Sequence, residues 1–177
     1  MLDNQFVFNK LVEKFGEGIK GYEEHFGMIS ILAEKDLNLK ILQFLYDEED
    51  LGFRFLTDLT AIHYPNHKGE ELVVTYLLYN MPKNFHIRLK FALNIQDPKI
   101  FTATALHPTA NWLERECYDF FGVEFVGHPN LIRIMNVEEM DYFPMRKEFP
   151  LEDQTRTDKD DEMFGRGGHF NFGNFTV

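Results

Sequence analysis

Leu72-Val73-Val74-Thr75-Tyr76-Leu77-Leu78-Tyr79, Asn80-Met81-Pro82-Lys83-Asn84 and Phe85-His86-Ile87-Arg88-Leu89-Lys90-Phe91 follow one another without a break. The first piece is rich in β-branched and aromatic residues, which suit a pleated, half-buried strand. The third alternates strictly, so Phe85, Ile87, Leu89 and Phe91 share one face while His86, Arg88 and Lys90 share the other. The five residues between them, with Pro82 and Asn84, make a plausible hairpin loop. One face is therefore packed and the other wet, as in an antiparallel sheet covered by helices on one side.

Outward from this hairpin the chain supplies those helices. Phe53-Arg54-Phe55 begins an extended stretch that ends at the turn Tyr64-Pro65-Asn66. Before it, Asp36-Leu37-Asn38 opens a helical pattern with Leu37, Ile41, Leu42 and Leu45 on one face, which runs out in Asp47-Glu48-Glu49-Asp50 and Gly52. Met28 to Leu32 reads as a short buried strand. At the start, Asp3 can cap a helix carrying Phe6 or Val7, Leu11 and Phe15, which Gly16, Gly18 and Gly21 then end. Downstream, Asn111 is placed to cap a third helix, with Glu114 three residues on as in a capping box and Gly122 as the stop. Leu113, Cys117 and Phe120 share its inner side, and Arg115 and Asp119 are spaced as an i,i+4 pair. The sum is an α+β fold, a mostly antiparallel sheet packed by helices, close to a ferredoxin-like plan.

The 177 residues suit one domain plus an appendage. The division falls at 137: residues 1–137 form the α+β core, and residues 138–177 keep only Leu151 and Val177 as aliphatics of the Leu, Ile and Val type. That tail still holds Tyr142, Phe143, Phe149, Phe164, Phe170, Phe172 and Phe175. Aromatics without aliphatic neighbours cannot build a core, but they can anchor an extended partner-binding C-terminal arm, expected to order only in a complex. A net charge of −11 repels phosphate backbones and anionic lipid, so neither nucleic acid nor direct membrane insertion is expected. No apolar run is long enough to span a bilayer, and Met1-Leu2-Asp3-Asn4 is no signal peptide.

Most motifs fail on their context. Gly16-Glu17-Gly18-Ile19-Lys20-Gly21 matches a dinucleotide-binding pattern by letters, but a helix leads into it where a strand is required, and a helix-ending loop is the better reading. His63 and His67 flank Pro65 with no third ligand near, and read as solvated turn histidines. Asp158-Lys159-Asp160-Asp161 begins like a calcium loop, yet Met163 stands where glycine is needed. Cys117 is the only cysteine, so no disulfide or all-cysteine metal site can form within the chain, and its inward position beside Glu116 makes it an inert thiol.

What remains is Glu114 to Leu151. The run Glu114-Arg115-Glu116-Cys117-Tyr118-Asp119-Phe120-Phe121-Gly122-Val123-Glu124-Phe125-Val126-Gly127-His128-Pro129-Asn130-Leu131-Ile132-Arg133-Ile134 resembles the signature of the C-type (30 kDa-type) subunit of respiratory complex I. Met145-Arg146-Lys147-Glu148-Phe149-Pro150-Leu151 is similar to the segment that follows it, and Thr57-Asp58-Leu59 with Tyr64-Pro65 resembles an upstream strand. Ile132 stands where an arginine is usual and His63 where an aspartate is.

The resemblance implies a cofactor-free structural subunit in the peripheral, quinone-reducing arm of NADH-quinone oxidoreductase. That complex passes electrons from NADH through FMN and iron–sulfur clusters, held in partner subunits, to a quinone, coupled to ion translocation. Its implied neighbours are the D-type subunit, which helps form the quinone pocket, and the I-type subunit, which carries iron–sulfur clusters. The implied location is the cytoplasmic side of the bacterial inner membrane. Glu114, Arg115, Glu116, Asp119, His128, Pro129, Arg133, Arg146 and Lys147 become the candidates for docking or local ion pairs, with no catalytic, cofactor or metal residue among them. An equivalent subunit of a membrane-bound hydrogenase or of another complex I-like oxidoreductase is the nearest alternative. A freestanding enzyme using Glu114, Glu116 and Asp119 as acid/base groups, or an adaptor unrelated to respiration, stand further off.

Overall fold

The Asp3 carboxylate accepts the Phe6 amide at 2.7 Å and so starts α1 (Asn4–Phe15), as the sequence suggests. Val7 and Leu11, one turn apart, are buried, and Gly16 closes the helix at positive φ. The computed structural model describes residues 2–149; residues 1–147 form one compact unit, and of the second, 148–177, only Glu148 and Phe149 are described. Most of the expected arm, with the calcium-like run, therefore lies outside the described residues.

The stretch expected to be a helix-ending loop is a single 3₁₀ turn, Gly16–Gly18, followed by strand β1 (Ile19–His25). β1 is an edge strand with Lys20, Glu23 and Glu24 exposed and a bulge between Ile19 and Gly21, so its sequence carries no apolar alternation. β2 (Met28–Ala33), α2 (Asn38–Asp47), β3 (Phe55–His63), β4 (Leu72–Asn80) and β5 (Phe85–Leu93) follow, near their expected places. Ile41, Leu42 and Leu45 of α2 are fully buried.

These strands form one five-stranded sheet in the order β1-β2-β5-β4-β3. Every neighbouring pair is antiparallel except β2–β5, which is parallel. The β4–β5 hairpin closes at Asn80 and Phe85, and its register sets Val74 beside Phe91 and Tyr76 beside Leu89. Leu72, Val74, Tyr76, Leu78, Ile87, Leu89, Phe91 and Leu93 are all buried, the alternation seen in the sequence turned into one packed face.

Behind β3 lies α3 (Ala110–Phe121), which buries Ala110, Cys117 and Phe121 and half-buries Leu113 and Phe120 against the core. Two short strands that the sequence does not announce, β6 (Lys99–Phe101) and β7 (Glu124–Val126), pair in parallel on either side of it in the chain. Three residues are too few to show a period. Gly122 ends α3 at φ +75, and its missing Cβ leaves room for Phe143 and Arg146. Among the described residues, no helix is long and apolar enough to cross a membrane.

Candidate partner-docking site

α3 presents four charged side chains from Glu114 to Asp119, and the structure sends them in different directions. Glu114 is fully buried. It caps nothing: Thr109 precedes the helix without a side-chain bond, and the Glu114 carboxyl accepts the Ala103 amide at 2.7 Å and meets the Thr102 hydroxyl at 2.5 Å. The capping-box expectation fails because α3 begins one residue before Asn111, which turns Glu114 toward the segment after β6. Burial raises its pKa to about 7, against the lowering effect of the Thr102 and Ala103 hydrogen bonds. The carboxyl accepts from both the Thr102 hydroxyl and the Ala103 amide.

Asp119 does not pair with Arg115. Its Oδ1 accepts from Arg133 Nη1 at 2.8 Å and from Asn136 Nδ2 at 3.0 Å. Its Oδ2 accepts the consecutive amides of Ile134, Met135 and Asn136 at 3.1, 2.7 and 2.9 Å. Burial works to raise its pKa, but the backbone amides, the Arg133 guanidinium and the Asn136 amide hold the carboxyl well below the usual carboxylate range. Arg115 instead donates to the carbonyls of Ile132 and Arg133 and lies 5.1 Å from the centre of the Trp112 ring. The i,i+4 expectation loses because a loop offering a guanidinium and three amides satisfies a buried carboxylate better than one half-buried arginine can.

Arg133 then extends the network. Its Nη2 donates to the carbonyls of Met140 and Tyr142, and its guanidinium faces the Phe143 ring. Arg146 covers the same ring at 4.6 Å and donates to the Phe121 carbonyl at 2.8 Å. Phe143 is thereby in cation–π contact with two arginines. The Lys147 amide donates to Nδ1 of His63, which is buried at the end of β3. His63 is thus no solvated turn residue; its partner comes from a segment far away in the chain. His67, by contrast, is exposed and stacks on Tyr64. The Asn130 amide donates to His128 Nδ1, which leaves the Nε2 proton to be donated to the Asn111 carbonyl at the start of α3.

Of the expected residues, Asp119, Arg115, Arg133 and Arg146 come together around the chain from 132 to 146, while Glu114 and His128 fasten α3 to its flanks. Glu116, Pro129 and Lys147 stand outside this network of side chains. What the network holds outward is apolar: Trp112, Ile132, Met135 and Val137 are exposed, Met135 at 72%. Sequence reasoning singled out Ile132 alone of these, as a departure from the family pattern and not as a contact residue. Their only signal is large apolar side chains in a loop and on the outer side of a helix. Cys117 lies on the other side of α3, its thiol pushed well up in pKa by burial and then by the nearby Glu116 and Glu114. Among the described residues no group of three or more His, Cys, Asp or Glu side chains is placed to hold a metal ion.

The class so defined is a small α+β protein whose most elaborate side-chain network joins α3 to the loop that follows β7. Residues 31–155 match the family described as the respiratory-chain NADH dehydrogenase 30 kDa subunit, and the chain belongs to that family. It is 38% identical over 156 residues to the C subunit of NADH-quinone oxidoreductase from Citrifermentans bemidjiense, covering 88% of this chain and 95% of the relative. The corresponding protein of Geobacter sulfurreducens is 35% identical over the same coverage. Among solved structures, a trypsin-resistant fragment of Nqo5 superposes with a TM-score of 0.57 at 28% identity, covering 71% of this chain and 99% of the fragment. A chain of a membrane-bound sulfane sulfur reductase, an archaeal respiratory complex, shares the fold, with a TM-score of 0.69 at 22% identity over 88% of this chain and 96% of that one.

Proposed function

We propose that this chain is a scaffolding subunit of NADH-quinone oxidoreductase that carries no cofactor and works by docking. The observation that carries this is the Asp119–Arg133 network, which fixes residues 133–146 from within while Trp112, Ile132, Met135 and Val137 stay exposed. Ordering a loop before association lowers the entropy cost of binding. An exposed Trp112 beside Arg115, and an exposed Met135, match the composition of interface cores. Buried charge here stiffens, and apolar surface binds.

The occupant of this surface is the D-type subunit, with the I-type subunit nearby, in the quinone-reducing part of the peripheral arm. FMN and the iron–sulfur clusters sit in other subunits. A single cysteine, Cys117, cannot supply the thiolates a cluster takes, and the buried position of that thiol removes it from electron transfer chemistry. Electrons therefore pass through neighbours that this chain holds in place, and the coupled ion translocation takes place elsewhere in the assembly. The peripheral position, on the cytoplasmic side of the inner membrane, rests on relatives named as subunits of NADH-quinone oxidoreductase.

The test is the double variant Trp112→Ala with Met135→Asp, purified through a tag on another subunit. Its share in the complex is expected to fall by roughly thirtyfold or more, the scale of one interface hot spot. Quinone reductase activity should fall with it, while the unfolding midpoint of the isolated chain stays unchanged. Normal incorporation of the double variant would refute the proposal.

A further inference from the structure

The hairpin between β1 and β2 turns on two residues, Phe26 and Gly27, both at positive φ (55° and 76°), with His25 paired to Met28. A turn of this kind is ordinarily built from Asn-Gly or Gly-Gly, because a bulky side chain crowds the backbone in the left-handed region. The same protein follows that rule elsewhere. Asn84, in the β4–β5 loop, is the only other described non-glycine residue at positive φ, and its side chain accepts the Tyr79 hydroxyl. Phe26 has no such compensation, for its ring is fully exposed and buries nothing in its own fold. The turn is nonetheless held, since Asn4 Nδ2 donates to the Gly27 carbonyl. A strained backbone and a large apolar ring in water are two separate costs at one position, and the isolated chain recovers neither.

We propose that Phe26 is an anchor for a second protein neighbour, entering an apolar pocket with a basic rim on that partner. The charge beside the ring selects this occupant. Glu23, on the strand leading to the tip, is engaged by Lys90 at 3.2 Å, but Glu24 beside it is exposed and the chain carries a net charge of −11, which disfavours an anionic lipid surface and favours a cationic rim. The position makes it a separate contact from the α3 surface. β1 forms one edge of the five-stranded sheet and β3, which α3 packs on, forms the other, roughly 19 Å away at the usual strand spacing. The turn at Phe26 and Gly27 also precedes residue 31, where the family match begins. The chain so placed bridges two neighbours, one at each edge of its sheet. This goes beyond the α3 docking surface and needs only that the chain be part of a multi-subunit assembly.

The deciding experiment co-expresses wild-type and Phe26→Asn chains with different tags and measures their ratio in the complex, purified through another subunit. Asparagine suits the turn, so the isolated variant should unfold at the same temperature as wild type or a few degrees higher. Its share in the complex should fall about tenfold or more, and Phe26→Tyr should restore it. A photo-crosslinking benzoylphenylalanine at position 26 should capture one subunit of the complex, different from the surface captured from position 135. Equal incorporation of Phe26→Asn would overturn the proposal, as would a lowered midpoint of the isolated variant, which would give the ring a role within its own fold. Phe26-dependent sedimentation with phosphatidylglycerol vesicles, or Phe26-dependent self-association of the pure chain, would overturn it in favour of lipid or a second copy. Failure of the α3 docking surface alone would show in the Met135→Asp chain and leave the Phe26 result standing.

Discussion

Asp119 of α3 and Arg133 of the following loop meet at 2.8 Å, with side chains 0% and 7% exposed. Three consecutive backbone amides complete the carboxylate's coordination, so the pair is a joint between helix and loop. Asp119→Ala leaves a guanidinium buried and three amides unmatched, and is expected to cost about 3–5 kcal/mol. Asp119→Ala with Arg133→Met should cost clearly less than the two single changes added together. Urea unfolding of the isolated variants measures this, and a loss below about 1 kcal/mol for Asp119→Ala would rule the joint out. The folded carboxyl ionises below the range of its unfolded counterpart, so its contribution is complete above that range and drains away as pH falls.

Glu114 has the opposite sign. Burial raises its pKa from 4.5 to about 7, so the folded state holds a proton that the unfolded state releases. The stability it contributes is complete below pH 4.5 and declines as pH rises through 7, by roughly 3 kcal/mol at pH 8. Glu114→Gln keeps an oxygen that accepts from Ala103 and a polar group beside the Thr102 hydroxyl without the ionisation. It should therefore flatten this slope and exceed wild type in stability at pH 8. Denaturant midpoints across pH 5–8 read this directly, and parallel curves for the two proteins would contradict it.

Gly122 allows the chain beyond α3 to come back against the helix end. A Cβ there would stand 2.5 Å from Phe143 Cε2 and 2.6 Å from Arg146 Nη2, and the backbone is already left-handed. Gly122→Ala is expected to cost about 2 kcal/mol or more, combining backbone strain with overpacking. Faster hydrogen exchange at 143–146 should accompany the lower unfolding midpoint. An unchanged midpoint would show that Phe143 and Arg146 give way freely.

Cys117 is buried on α3, its Sγ 3.8 Å from the Leu59 carbonyl of β3. Burial keeps it a thiol, so a disulfide reagent should modify it only as fast as the fold opens. The labelling rate should climb with urea in step with unfolding. Rapid labelling of the native chain at neutral pH would place the thiol at the surface.

Elements with a strong local period were readable in advance. The alternation from Phe85 to Phe91 became β5 with its partner β4, and Asp3 and Gly122 marked a helix start and a helix stop. β1 was hidden because an edge strand carries charge where a central strand carries aliphatics, and Gly21 imitated a loop. β6 and β7 were hidden because their pairing joins residues on either side of α3. In the site, residue types were visible and directions were not. Asp119 and Arg115 sit one turn apart on the same helix, yet their partners lie in a loop whose course no helical spacing reveals. Within the family signature Glu114 and Asp119 are buried, whereas Ile132 is exposed, a distribution that residue types alone do not reveal.

The parallel pairing of β2 with β5 has a consequence for how the molecule is made. On a ribosome, Ile29 and Ile31 emerge early, whereas Ile87 and Leu89 beside them come only after α2, β3 and β4 have been synthesised. Until then two aliphatic side chains and a free strand edge await a match, and the nascent hairpin is open to adhesion with other polypeptides. The late arrival of β5 therefore makes this interval of synthesis the one in which the sheet is incomplete.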